Sequence, residues 1–295
     1  MILFVSGRTD VVALYMKWFM NSFHRGYIDT RNPFNEHLVS RIYFKDVDLI
    51  LFCTKNPLPL IPYLDEFKIP ILVHVTLTPY MKDIEPNVIE KTKIIEGIKV
   101  ISKKIGRDNI YLRYDPILLN DKYTINYHIK AFDRLVNLVS DSVKHIIISF
   151  IDIYKNVLNN MKYLKLKEIT HDDKYFLAKA FKDIINNKDM DIRTCAEDID
   201  LRMYGYINEG CLSKELAFKL TNKKYPKQSI RKDTNCNCVR MVDIGSYNSC
   251  PHLCKYCYAN YDESKVMENF NNHHNNSSLL IGEISELDII KERFK

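Results

Sequence analysis

Eight cysteines stand in the 295-residue chain, at positions 53, 195, 211, 236, 238, 250, 254 and 257, so seven of them fall in the last 101 residues. The tightest group is Cys250-Pro-His-Leu-Cys254-Lys-Tyr-Cys257, a C-x3-C-x2-C run. Thiolates this close on one loop fit around a compact [4Fe–4S] cube, and three of them leave one iron without a cysteine. Tetrahedral zinc is the competing reading, because His252 inside the loop can complete a four-ligand set. A disulfide framework suits short secreted chains; this chain is long and shows no export signal, so metal or redox chemistry is favoured.

Four further thiols, Cys195, Cys211, Cys236 and Cys238, match the ligand number that closes an iron–sulfur or zinc site. The expectation is a second [4Fe–4S] cluster. Cys236-Asn237-Cys238 is too tight for an ordinary zinc knuckle but suits two irons of one cube. The competing readings are zinc, or a buried Cys195 with free thiols around it. Cys53 ends an apolar run and reads as core packing.

These groups need a scaffold. Nearly continuous apolar runs occur at Ile2–Ser6, Asp48–Cys53, Ile71–Thr78, Ile110–Tyr114, His145–Phe150 and Asp191–Cys195. Strands buried on both faces have that pattern. Between them, Val11–Phe23, Asn87–Lys104, Tyr127–Ser140 and Asp173–Asn186 carry apolar residues at helical spacing. The alternation predicts an α/β fold on a parallel sheet, either doubly wound and open or closed as a barrel, and the barrel is the favoured form. Residues 1–197 form its core; residues 198–295 form a cysteine-rich segment packed on the barrel mouth.

Polar residues gather where the strands end: Ser6 to Asp10, Thr54-Lys55-Asn56, Arg113-Tyr114-Asp115 and Cys195-Ala196-Glu197. Chemistry in such folds sits at the C-terminal strand ends. Asp115 and Glu197 are the candidate substrate-side acid/base groups, against an alternative role as helix caps or ion-pair partners. Trp18, Phe19 and Met20 read as packing, and the Asn- and His-rich run 271–276 as a polar loop.

Bulk properties narrow the partners. The formal net charge is +6, with Lys219, Lys223, Lys224, Lys227 and Arg231 crowded together. A solvated face explains that crowding; a phosphate-rich partner such as nucleic acid is the alternative. No stretch is apolar enough to span a bilayer, so a cytoplasmic protein without a membrane partner is expected.

The cysteine loop resembles the radical S-adenosylmethionine (radical SAM) superfamily, within it the spore photoproduct lyase-like branch. Tyr247, Cys250, His252, Cys254, Tyr256, Cys257, Tyr258 and Ala259 fit that branch position by position. There the loop follows the first barrel strand, whereas here it comes near the C-terminus. Ser6-Gly7-Arg8-Thr9-Asp10, Thr54-Lys55-Asn56, Val75-Thr76-Leu77-Thr78 with Glu85-Pro86, and Asp115-Pro116 then follow the succession of the branch's later strands. The resemblance therefore implies a circularly permuted partial (β/α)6 barrel of the TIM type, with Val239–Gly245 pairing beside Ile2–Ser6. The whole chain is also similar to an uncharacterised bacterial family known only as a domain of unknown function, which shares the opening Ser-Gly-Arg-Thr-Asp and the closing Tyr-Cys-Tyr-Ala-Asn.

What the resemblance implies is an enzyme that reductively cleaves S-adenosylmethionine at the open iron to yield a 5′-deoxyadenosyl radical. An electron donor such as flavodoxin or ferredoxin is implied, with a small-molecule, peptide or nucleic-acid substrate. Tyr256 would lie against the cofactor, Thr9 and Asp10 would take its ammonium, and Lys55 or Arg113 its carboxylate, by charge complementarity. The function from another class is a zinc- or iron–sulfur-containing nucleic-acid-binding protein without radical chemistry.

Overall fold

The computed structural model describes residues 1–153, 157–159, 162–227 and 236–293. Seven strands form one sheet: β1 (Ile2–Val5), β4 (Leu49–Thr54), β5 (Ile71–Thr76), β6 (Ile110–Ile117), β7 (His145–Phe150), β8 (Asp191–Thr194) and β9 (Val242–Asp243). Their order is β8-β7-β6-β5-β4-β1-β9, and every pairing is parallel. The expected sheet is therefore present, and Leu3↔Val242 and Phe4↔Asp243 place the closing segment beside the opening strand as foreseen. The closed barrel favoured from the sequence is not: among the described residues β8 and β9 remain free edges, and the sheet is open.

Nor is the sheet doubly wound. From β9 across to β8 the strands never reverse direction of travel, so right-handed crossovers put the helices on one face. Helices α1 (Val11–Arg25), α2 (Lys91–Ile105), α3 (Ile125–Val139) and α4 (His171–Ile185) do lie together there. Strand alternation supplies that face with Leu3, Val5, Ile50, Phe52, Val73, Val75, Leu112 and Ile146, packed against Phe19, Ile98, Phe132 and Phe181. Phe132 and Phe181 stack with centroids 4.0 Å apart, joining α3 to α4. Trp18, Phe19 and Met20 are buried in this layer, in keeping with packing.

The opposite face carries the alternate residues Ile2, Leu49, Leu51, Leu72, Tyr111 and Ile147, and it is covered from the C-terminal part of the chain. Leu212, Ala217 on α5 (Lys214–Thr221), and Val239 fill it. The segment after residue 198 thus packs under the sheet, contributes β9 to it, and forms α6 (Glu263–Asn271) beyond the cysteine loop.

A second sheet was not foreseen. β2 (Tyr27–Asn32) and β3 (Asn35–Tyr43) form an antiparallel hairpin, and β10 (Ile289–Arg293) adds to β3 in parallel. Its buried Asp29 is held by Arg41 through two bonds of 2.9 Å.

Candidate functional site

β9 ends where the cysteine loop begins, and the loop folds over the C-terminal ends of β1 and β4. Two left-handed residues, Asn248 (φ 49°) and Leu253 (φ 53°), turn it sharply. Asn248 offsets the cost with its side chain, whose oxygen accepts from Tyr261 N–H at 2.8 Å. Asn87 donates to Pro251 O at 2.8 Å and Asn260 to Cys250 O at 2.6 Å, so both polar side chains serve the loop backbone.

Residues 6–10 bind the loop from the other side. The Gly7 N–H donates to Asp243 Oδ2 at 3.1 Å, Thr9 Oγ1 donates to Ser246 O at 2.8 Å, and Tyr258 donates to Gly7 O at 2.6 Å. Asp10 does three things. It caps α1 through Ala13 N–H at 2.9 Å, accepts from Lys55 N–H at 2.7 Å, and meets His252 Nε2 at 3.1 Å. Burial works against its charge, but His252 and the Lys55 N–H hold its carboxyl below the ordinary range.

Cys250, Cys254 and Cys257 line one open cavity with Thr9, Lys55 and Tyr256. Burial pushes the Cys254 thiol up to about 12, against the pull of Lys55. Beneath the cavity lies Glu85, 1% exposed, which the sequence offered only as part of the Glu85-Pro86 match and not as a site residue. It pairs with Lys55 at 2.8 Å and with Lys91, and accepts from Thr78 and Tyr256. Burial would raise its carboxyl, yet the two lysines lower it to about 2. Two ammonium groups and one carboxylate leave a single positive charge beside Cys254. The Lys55 ammonium also sits 5.4 Å from the Tyr256 ring centre, within cation–π range.

The family model described as Domain of unknown function (DUF1848) matches residues 2–259. The chain belongs to this family. No curated protein and no solved structure matches it. The matched span runs from β1 through β9 and just past Cys257, so the family's domain includes all seven strands of the sheet, the loop and the other five cysteines.

Thr9, Asp10, Lys55 and Tyr256 thus converge with the three cysteines, although Thr9 and Asp10 are engaged in holding the loop. Arg113 does not join them. It pairs with Asp115 and donates from Nη1 to Cys211 Sγ at 2.8 Å. Asp115 and Glu197 do not line the cavity. Glu197 accepts from Phe150 N–H at 2.8 Å, with Lys174 3.9 Å away, and burial raises its carboxyl to about 7. Cys53 is half-buried and lines the cavity from below; burial pushes its thiol up to about 12.

The remaining four cysteines meet under the sheet. Cys195 and Cys211 place their sulfurs 3.0 Å apart, the Cys211 N–H donates to Cys238 Sγ at 3.1 Å, and Cys238 is in hydrogen-bond contact with Cys195, Cys211 and Cys236. Among the described residues, no group of three or more His, Cys, Asp or Glu side chains is arranged so that it could hold a metal ion. No helix among them is long and apolar enough to cross a membrane. In the basic stretch, Lys223 and Tyr225 engage Asp48, and Arg231 lies outside the described residues. His273 is packed edge-on against Tyr15 at 4.6 Å, with its Nδ1 2.7 Å from Leu280 O.

Whether the upper donor set fits an iron–sulfur cube is a matter of its chemistry. Three thiols on one loop and a net positive charge beside Cys254 would suit an anionic cluster with one iron that the loop leaves without a thiolate; Cys53, on β4, is the other cysteine lining the cavity. The cavity is open, so a cluster held there would be accessible to a ligand.

Proposed function

We propose that this chain is a radical SAM enzyme whose [4Fe–4S] cluster is held by Cys250, Cys254 and Cys257. The observation that carries the reading is the convergence of that C-x3-C-x2-C loop with Lys55, Tyr256 and Thr9 on one cavity at the C-terminal ends of parallel strands. When bound, the cluster and S-adenosylmethionine supply a 5′-deoxyadenosyl radical by reductive cleavage.

The chain's own residues bind and orient. Lys55 presents its ammonium to the anionic side of the cavity, with Glu85 and Lys91 fixing where it points. Its charge complements a cluster thiolate or the cofactor's carboxylate. Asp10, through His252 and the Lys55 N–H, sets the loop against the end of β4. Tyr256 forms an aromatic wall whose hydroxyl is anchored on Glu85.

The permuted partial barrel belongs to the same proposal. Read across the sheet, the loop-bearing strand β9 comes first, followed by β1, β4, β5, β6, β7 and β8 in rising order. That is the order of a singly wound half-barrel whose first strand has moved to the end of the chain.

The test is anoxic reconstitution with iron and sulfide, followed by reduction in the presence of S-adenosylmethionine. Formation of 5′-deoxyadenosine is expected, and Cys254→Ala should abolish it. Absence of cleavage with any reductant, in protein that has taken up iron, would overturn the reading.

A further inference from the structure

We propose that Cys195, Cys211, Cys236 and Cys238 hold a single tetrahedral metal ion of the zinc class, which staples the returning C-terminal segment under the sheet. The proposal stands apart from the three-cysteine centre.

The four thiols come from three separate places. Cys195 follows β8, Cys211 precedes α5, and Cys236 and Cys238 precede β9. Nothing in local structure requires them to meet, yet the Cys195 and Cys211 sulfurs stand 3.0 Å apart, the Cys211 N–H reaches Cys238 Sγ at 3.1 Å, and side-chain hydrogen bonds join Cys238 to the other three cysteines. Gly210 makes room for this: at φ 72°, a Cβ there would come within 2.9 Å of Cys238 Sγ.

Spacing decides the kind of metal. A tetrahedral ion with metal–sulfur bonds of about 2.3 Å has sulfur–sulfur edges of about 3.8 Å. The Cys195 and Cys211 sulfurs stand at 3.0 Å, so they must part by roughly 0.8 Å to admit an ion. A cube has to spread its four ligands around a body several ångströms across, which would break all the contacts centred on Cys238. Mutual contact therefore favours one ion over the second cluster that the sequence suggested.

Charge and hydrogen bonding agree. Four thiolates around a divalent ion carry a net charge of about −2. Arg113 already donates to Cys211 Sγ at 2.8 Å, and a buried guanidinium is the cation suited to such an anion. His74 is fully buried, and among the described residues neither of its ring nitrogens has a hydrogen-bond partner. It lies within electrostatic range of Cys211.

The experiment uses the full chain with Cys250, Cys254 and Cys257 all changed to Ala, purified anoxically, so that the upper centre contributes no metal. Elemental analysis should find about one zinc per chain and little iron or sulfide. Adding Cys211→Ala should cut that zinc at least fivefold. Because that variant can fail to fold, the wild-type protein is also titrated with a thiol-binding mercurial while released zinc is read with a dye. One zinc released as about four protected thiols react supports the site. Roughly four irons with sulfide retained in the triple variant would overturn the single ion, as would metal-free protein with a Cys195–Cys211 disulfide. Neither result bears on cofactor cleavage by the upper centre, so the two readings fail separately.

Discussion

Replacing Glu85 by Gln removes the one carboxylate between Lys55 and Lys91 while keeping its shape. The magnitude follows from linkage. The Glu85 carboxyl titrates at about 2 in the folded chain against an ordinary 4.5, and at about 1.4 kcal/mol per pH unit that difference is worth about 3 kcal/mol. Breaking a buried pair by deleting one partner costs a similar 3–5 kcal/mol. The side chain is 1% exposed, so solvent screening does not reduce the figure. Because the folded value is depressed, the stabilisation is complete above pH 4.5 and disappears as the pH falls through about 2. Urea unfolding of both proteins, prepared in parallel, should show the variant weaker by about 3 kcal/mol at pH 7, the gap narrowing to about 1.4 kcal/mol at pH 3. A gap below about 0.5 kcal/mol at pH 7, or one that does not narrow in acid, would refute the argument that Glu85 is an ionised hub.

Glu197 should behave in the opposite sense. Burial raises its carboxyl from 4.5 to about 7, so ionising it costs stability that is lost as the pH rises through that window. Glu197→Gln should be more stable than the wild type by up to about 3 kcal/mol at pH 8 and equal to it below pH 4.5; equal unfolding midpoints at pH 8 would contradict this. Gly245→Ala should impair docking of the cysteine loop, since the new Cβ would stand 2.0 Å from Ser6 Oγ and 3.1 Å from Thr9 N. Iron uptake on reconstitution should fall by more than half while helical circular dichroism is kept, and full uptake would show that the contact yields.

The parts that were legible in the sequence are those with strong local patterns. Six strands read from continuous apolar runs such as Asp48–Cys53, because both faces of the sheet are covered and nearly every side chain of β4 is buried. The β2–β3 hairpin was missed for the reverse reason. Its buried positions include Asp29 beside Ile28, so apolar alternation fails where an ion pair with Arg41 replaces it. β9 has only Val242 and Asp243 in the ladder, too short to announce itself, and was found through resemblance alone. Glu85 lies in a turn before α2, and nothing about an isolated Glu-Pro reveals that two lysines 30 residues and 6 residues away will close on it. Arg113 was assigned to the cofactor on charge, but its side chain projects to the covered face, where strand alternation puts it with Tyr111 and the four thiols.

The way β9 is held explains why the site depends on both ends of the chain. Two paired residues at a sheet edge supply little ladder energy, and such an edge would ordinarily fray. What fixes β9 is polar and steric: Asp243 takes the Gly7 N–H, its backbone takes Arg8 at 2.9 Å, and Gly245 lets Ser6 and Thr9 approach. Beyond it, Thr9 and Asp10 reach Ser246 and His252. On the near side, Cys236 and Cys238 lie just before the strand, so an ion bound there with Cys195 and Cys211 would restrain the entry to β9 while residues 6–10 restrain its exit. The short strand would then be held from both flanks.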